Sequence, residues 1–307
     1  MLTKNPAQKR CGLVAVVGFP NAGKSTLVNT LVGQKVTIVS HKVQTTRNRI
    51  MGIALNGESQ IVLMDTPGIL SQPKVRLEKA MVSAALGAPQ ESDLTVLVVD
   101  VTYGTPEGQQ RILDKLQSLQ KPIWVVLNKI DQIKRENLLP WARYFQDFSF
   151  VTQVFMLSAL NRDGADDLLK ALSQAMPEGP WLFPEDQITT APQRMFAAEI
   201  TREVLFRFLH QELPYVLYVE TENWEVFRNE SIKISQVIHV MKESQKAIII
   251  GHQGQQIKKM NMIARQELSE IIEKPVHLFL HVKVTPDWME KSSFYTLMGL
   301  GFRSEPH

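Results

Sequence analysis

The stretch Gly18-Phe19-Pro20-Asn21-Ala22-Gly23-Lys24-Ser25 constrains this chain more than any other. It reads G-x-x-x-x-G-K-S. An apolar run ahead of it, Leu13 to Val17, suits a buried parallel strand, and Thr26 to Val32 behind it has helical spacing. Strand, glycine loop and helix in that order make a cradle for phosphate. Gly18 and Gly23 let the backbone curl so that N–H groups around Ala22 and Thr26 point at phosphate oxygens. The helix N-terminus adds its partial positive charge. Lys24 is placed to reach the β- and γ-phosphates, and Ser25 to offer its hydroxyl to Mg²⁺. At average composition the pattern arises by accident in roughly one chain per hundred of this length, and its context lowers that further.

A chain of 307 residues is long enough for two domains. Its hydrophobic fraction of 44% and charged fraction of 21% are those of a soluble globular protein. No apolar run approaches the ~18 residues that a bilayer span needs. Lys9 and Arg10 precede the first apolar run, as in a signal peptide, but cleavage there would destroy the phosphate loop, so the run reads as a first strand. The lone cysteine, Cys11, forbids an internal disulfide and fits a reducing cytoplasm. A net charge of only +3 means that any nucleic-acid partner must be held by a local patch.

Short β-rich runs recur at Ile61–Met64, Leu94–Val99, Ile123–Leu127 and Val151–Met156. Between and after them, residues 75–88, 107–119, 136–147 and 163–175 have helical apolar spacing. The alternation predicts an α/β domain with a mostly parallel sheet covered on both faces, its ligands at the carboxyl ends of the strands. The pattern stops near Met176, where Pro177, Pro180, Pro184 and Pro192 mark a linker. Residues 194–307 then read as an α+β domain, with a helix over 194–209, strands over 215–221 and 231–240, and a mostly helical region over 244–271. A strand over 276–285 and a helix over 287–299 follow. The expected division is 1–178, a linker at 179–193, and 194–307.

Asp65-Thr66-Pro67-Gly68 follows the Ile61–Met64 run, where an aspartate can hold Mg²⁺ through its water shell and Gly68 can approach a γ-phosphate. Asn128-Lys129-Ile130-Asp131 follows the Ile123–Leu127 run. The Asp131 carboxylate can accept from guanine's ring N–H and amino group, a pair that adenine does not present. Asn128 can bridge base and phosphate loop, and the Lys129 stem can lie over the ring. Ser158 and Ala159 supply a loop able to close on the base through backbone N–H groups.

These elements in this order resemble the GTPase domain of the translation-factor-like class, and more narrowly the TrmE–Era–Obg group. The resemblance implies a P-loop GTPase domain using GTP, GDP and Mg²⁺. Gln44-Thr45-Thr46-Arg47 is similar to that group's first switch, which makes Thr46 a Mg²⁺ ligand beside Ser25 and Asp65. Lys24, Thr46 and Gly68 then carry catalysis by positioning and charge neutralisation. Ile69 stands where Ras-like proteins carry a glutamine, which implies slow unaided hydrolysis. Asn21 matches the asparagine that helps hold K⁺ in potassium-activated members.

In the second domain, Ala247-Ile248-Ile249-Ile250 argues for a strand by propensity alone. Gly251-His252-Gln253-Gly254 flanked by Ile250 and Ile257 instead resembles the KH motif, whose glycine loop sits between two helices. Glycines there let a sugar–phosphate backbone pass close, and the isoleucines can floor unstacked bases. Lys242, Lys246, Lys258, Lys259 and Arg265 face only Glu243 across 242–265, a local basic patch.

A phosphate-loop GTPase joined to a type II KH domain resembles the Era family of bacterial ribosome-assembly GTPases over nearly the whole chain. The expected order is helix–strand–strand–helix–helix–strand. The resemblance implies a monomeric GTP-hydrolysing switch, binding small-subunit rRNA near its 3′ end, acting on the 30S subunit, cytoplasmic, and peripheral on the inner face of the membrane. His252 and Gln253 depart from the lysine or arginine common in that loop, and Asn261 stands where the family usually has glycine. The rivals are a P-loop kinase, which leaves Asn128–Asp131 unexplained, and an interaction protein in which nucleotide is structural.

Overall fold

The computed structural model describes residues 8–70 and 72–302. The outermost residues of both expected domains, and Ser71, lie outside them. The chain divides into two compact units. One holds the described residues up to Thr37, residues 46–190 (Ser71 aside) and residues 298–302. The other holds Ile38–Thr45 and Ala191–Leu297.

The first unit is built on a six-stranded sheet, β1 (Arg10–Val17), β2 (Ile50–Asn56), β3 (Ser59–Asp65), β4 (Leu94–Asp100), β5 (Ile123–Asn128) and β6 (Val151–Leu157). The order is β2-β3-β1-β4-β5-β6, parallel except for β2. The apolar runs at β1, β3, β4 and β5 are buried because helices cover both faces. Val14 and Val16 face one core with residues of α1 (Lys24–Val32) and α5 (Ala165–Ala175). Ala15 and Val17 face the other, with α2 (Arg76–Gly87), α3 (Gln110–Gln117) and α4 (Leu138–Gln146). The alternation along β1 is the period of two that any strand imposes.

The antiparallel β2 was not visible in the sequence. Gly52 at its centre passes α1 so closely that a Cβ there would stand 2.9 Å from Val32 and 3.0 Å from Val28. Gln60, fully buried in β3, accepts from the N–H groups of Leu182 and Phe183 and donates to the Phe183 carbonyl at 2.8 Å. Ile53 N–H donates to Ile188 O at 2.8 Å. The proline-rich stretch to Thr190 is thus fastened to the first unit.

In the second unit α6 (Gln193–Phe208) and a short α7 (Leu213–Val216) precede β7 (Tyr218–Val226) and β8 (Ile232–Val240). Then come α8 (Glu243–Ile250), α9 (Gln255–Ile272), β9 (Val276–Val284) and α10 (Ser292–Leu297). The sheet order is β7-β8-β9, antiparallel then parallel. Leaving α7 and α10 aside, this is helix–strand–strand–helix–helix–strand. Residues 247–250 are helical against their propensity: Ile249 is fully buried in the core.

Ile38 joins that core, and the segment after it is held to α6. Glu203 accepts from Val39 N–H at 2.9 Å. Lys42 donates to the carbonyls of Phe206 and Leu209, which the helix C-terminus leaves free. Arg202, only 1% exposed, pairs with Glu199 and donates to the Thr45 carbonyl. This role for residues 38–45 had no signal in the sequence.

Candidate nucleotide and RNA sites

The phosphate loop leaves the carboxyl end of β1 and enters α1 at Lys24. Gly23 takes φ 95°, and a Cβ there would lie 2.1 Å from Asn128 Nδ2, so only glycine fits. Asn21 takes φ 61°, a left-handed conformation that asparagine tolerates well. Lys24 is buried, and its Nζ donates to Gly18 O at 3.2 Å and Phe19 O at 2.9 Å. Burial pulls its pKa down to about 8, with the Asp65 carboxylate opposing.

Asp65, at the end of β3, is fully buried. Burial raises its pKa, while hydrogen bonds and Lys24 oppose the rise. Its Oδ2 accepts from Ser25 at 2.7 Å, Thr37 at 2.9 Å and Thr46 at 3.4 Å, and the Ser25 and Thr46 hydroxyls are 2.8 Å apart. Oδ1 is buried with no hydrogen-bond partner among the described residues. Two adjacent hydroxyls and a carboxylate with an uncommitted oxygen form the hard oxygen donor set that suits Mg²⁺. Ser25 and Thr46 would hold the ion and Asp65 its water shell, and the ion would neutralise charge on the phosphates. Gly68 lies against Pro20 of the phosphate loop, and Ile69 N–H donates to Gly18 O at 3.1 Å. The Ile69 side chain is buried in the core.

At the carboxyl end of β5, Asn128 donates to Ala22 O at 2.9 Å and accepts from Ala159 N–H at 2.9 Å. Lys129, at φ 69°, pairs with Asp100 at the end of β4. Asp131 is exposed. Ser158 is buried, accepts from Asn161 N–H at 3.2 Å, and donates its own N–H to Asp163 O at 2.9 Å. The structure therefore brings the phosphate loop, Asn128–Asp131 and the Ser158–Ala159 loop together, joined by the Asn128 amide. Sequence reasoning missed Asp100, Thr37 and Asn29, whose side chain fixes the backbone at Thr37. An acid closing an apolar strand run could have flagged Asp100; nothing local marks the other two.

In the second unit α8 ends at Ile250 and α9 begins at Gln255, with the glycine loop between them. Gly251, Gln253 and Gly254 all take positive φ. His252, Gln253, Lys258 and Arg265 are exposed, while Ile250 and Ile257 are half-buried against the core. Lys258 and Arg265 stand seven residues apart on α9 and so share a face. Lys259 turns elsewhere, its ammonium 5.1 Å from the centre of the Phe208 ring. Asn261 spends its amide on Leu278 O in β9, at 3.0 Å.

A family model described as a 50S ribosome-binding GTPase matches residues 13–129, and the KH domain model matches residues 212–289. GTPase Era of Rhizobium meliloti is 51% identical over 293 residues, 95% of this chain and 93% of that protein. The chain belongs to the Era family. GTPase Era of Dinoroseobacter shibae is 48% identical over 98% of this chain and 99% of its own. Two solved Era structures, each 39% identical, superpose with TM-scores of 0.88. One is an Aquifex aeolicus Era variant bound to GDP and aluminium fluoride, covering 94% of this chain and 99% of its own. The other is an Era in complex with MgGDPNP and nucleotides 1506–1542 of 16S ribosomal RNA, covering 95% and 99%. As an Era-family member the chain is a GTP-hydrolysing enzyme with a phosphate-loop domain and a KH domain.

Proposed function

We propose that this Era-family chain is a GTP-dependent switch in maturation of the 30S subunit, and that its KH unit holds single-stranded RNA near the 3′ end of the small-subunit rRNA. The observation that carries this is the likeness, over 95% of the chain, to an Era bound to MgGDPNP and a 16S rRNA fragment. The glycine loop, exposed at His252 and Gln253, and the half-buried Ile250 and Ile257 suit a clamped RNA backbone with unstacked bases.

GTP with Mg²⁺ orders the segments around 40–48 and 66–76, and hydrolysis favours release. Catalysis is positioning and charge neutralisation by loop amides, Lys24 and the metal. Ile69 offers no side chain to orient water, so unaided hydrolysis is slow. Asn21 helps hold K⁺: hydrolysis should run faster in KCl than in NaCl at equal ionic strength, and Asn21→Ala should erase the difference. Equal rates in both salts would remove K⁺ while leaving the GTPase. The protein acts as a monomer in the cytoplasm, with peripheral attachment to the inner membrane face; among the described residues no helix is long and apolar enough to cross a membrane.

Crosslinking the protein to RNA in cells and sequencing the attached fragments tests the reading. Enrichment at the 3′ end of the small-subunit rRNA is expected. Enrichment on large-subunit RNA alone, or none over background, would overturn it.

A further inference from the structure

Three hydroxyls converge on one oxygen of Asp65, and two of them, Ser25 and Thr46, belong to residues already read as Mg²⁺ ligands. The third, Thr37, has no such duty. Its side chain is fully buried and its Oγ1 donates to Oδ2 at 2.9 Å. Its backbone is clamped on both sides by Asn29 of α1. The Asn29 Oδ1 accepts from Val36 N–H at 2.9 Å and Thr37 N–H at 3.0 Å, and Nδ2 donates to Thr37 O at 2.8 Å.

A carboxylate rotates in a broad, roughly two-fold well, so without a fixed donor either oxygen can face the metal side. The Ser25 and Thr46 hydroxyls also donate to Oδ2, but each would be drawn toward the ion that it holds. Thr37 is anchored through Asn29 to the helix that also carries Lys24 and Ser25. Its bond keeps Oδ2 on the side of the Ser25 and Thr46 hydroxyls, while Oδ1 stays buried and unpartnered among the described residues.

We propose that Thr37 is a positioning residue for Mg²⁺. Clamped by Asn29, it fixes which oxygen of Asp65 is presented to the water shell of the ion, and so sets how tightly the nucleotide-loaded site retains Mg²⁺. The inference rests on Ser25, Thr46 and Asp65 forming the metal site.

The test uses the full chain loaded with a fluorescent GDP analogue, its release followed while free Mg²⁺ is titrated. Thr37→Val should raise the Mg²⁺ concentration at which release is half-suppressed by about tenfold, the low end of what loss of an outer-shell partner costs a metal site. Release without Mg²⁺ should match the parent, and Thr37→Ser should restore the parental midpoint. Asn29→Ala, which keeps the hydroxyl but undoes its clamp, should shift the midpoint the same way and serves if the valine variant does not fold. An unchanged midpoint in a folded variant would overturn the proposal. So would equal acceleration of release with and without Mg²⁺, which marks a loop-shaping role. If Asp65→Asn also leaves the midpoint unmoved, the metal-site reading itself is at fault.

Discussion

Asn128 donates from Nδ2 to the carbonyl oxygen of Ala22 across 2.9 Å, tying the end of β5 to the phosphate loop. Its Oδ1 accepts from Ala159 N–H at the same distance, so one buried amide joins the phosphate loop to the loop expected to close on the base. Removing it breaks two bonds and leaves a buried carbonyl and N–H unpaired, each costing about 1–3 kcal/mol. Asn128→Ala should therefore weaken GDP and GTP alike, on the order of 30- to 150-fold for a net loss of about 2–3 kcal/mol. Fluorescent nucleotide titration reads this directly. Affinities within threefold of the parent would show that the amide only decorates the site.

Asp131 is the group expected to select guanine, and its exposure leaves the carboxylate open to a ligand. A charge-assisted bond contributes about 1.5–3 kcal/mol, so Asp131→Asn should cost ~2–4 kcal/mol in GTP binding. It should also gain affinity for xanthosine triphosphate, whose O2 accepts from the new amide. Undiminished GTP affinity would refute base reading by this residue.

His252 and Gln253 form the exposed tip of the loop between α8 and α9. Replacing both by aspartate sets like charge against RNA phosphates and should abolish binding of short single-stranded RNA by the full chain. GTP hydrolysis without RNA should stay near the parental rate. For the parent, five cations at ~0.7 per phosphate bound the log–log salt slope at about −3.5. Normal RNA binding by the double variant, seen in a filter or anisotropy assay, would move the RNA site elsewhere.

His239, on β8, gives the second unit an acid-sensitive point. Its buried ring lies against Tyr218 and Phe294, which in turn pack on Trp288, with Nδ1 2.8 Å from Thr285 Oγ1 and Nε2 3.3 Å from Glu220 on β7. Burial lowers its pKa below 6.5; Glu220 and Glu222 oppose this, and Lys283 of β9 adds to it. The unfolded chain then binds a proton more readily than the native one, so stability is present above about pH 6.5 and is lost as pH falls through the lower native value. Thermal melts at pH 7.5 and 5.5 should show a smaller acid loss in His239→Gln than in the parent. An equal loss in both would assign the acid sensitivity to other groups.

What could be read from the sequence were the segments whose chemistry is local. G-x-x-x-x-G-K-S, D-T-P-G, N-K-I-D and G-H-Q-G each need particular residues at fixed short spacing, because backbone N–H groups, a carboxylate or a left-handed turn must fall within a few ångströms of one ligand. The parallel strands were equally legible, since burial on both faces leaves near-continuous apolar runs. Where propensity and packing disagreed, packing won: Ile248–Ile250 favour a strand but close a helix whose Ile249 is buried in the core.

Long-range partnerships were decided by tertiary structure. The sequence by itself determined that the chain holds a phosphate loop, an N-K-I-D turn and a glycine loop, because each is one short stretch with its own geometry. It did not determine that Thr37 serves Asp65, that Gln60 pins the proline-rich stretch, or that Ile38–Thr45 is held by Glu203 and by the Glu199-paired Arg202 of α6. Those pairings lie 28 to 164 residues apart, apart from the internal Glu199–Arg202 pair. A threonine or a glutamine carries no mark of its partner until the fold buries both and leaves each polar group no other place to bond.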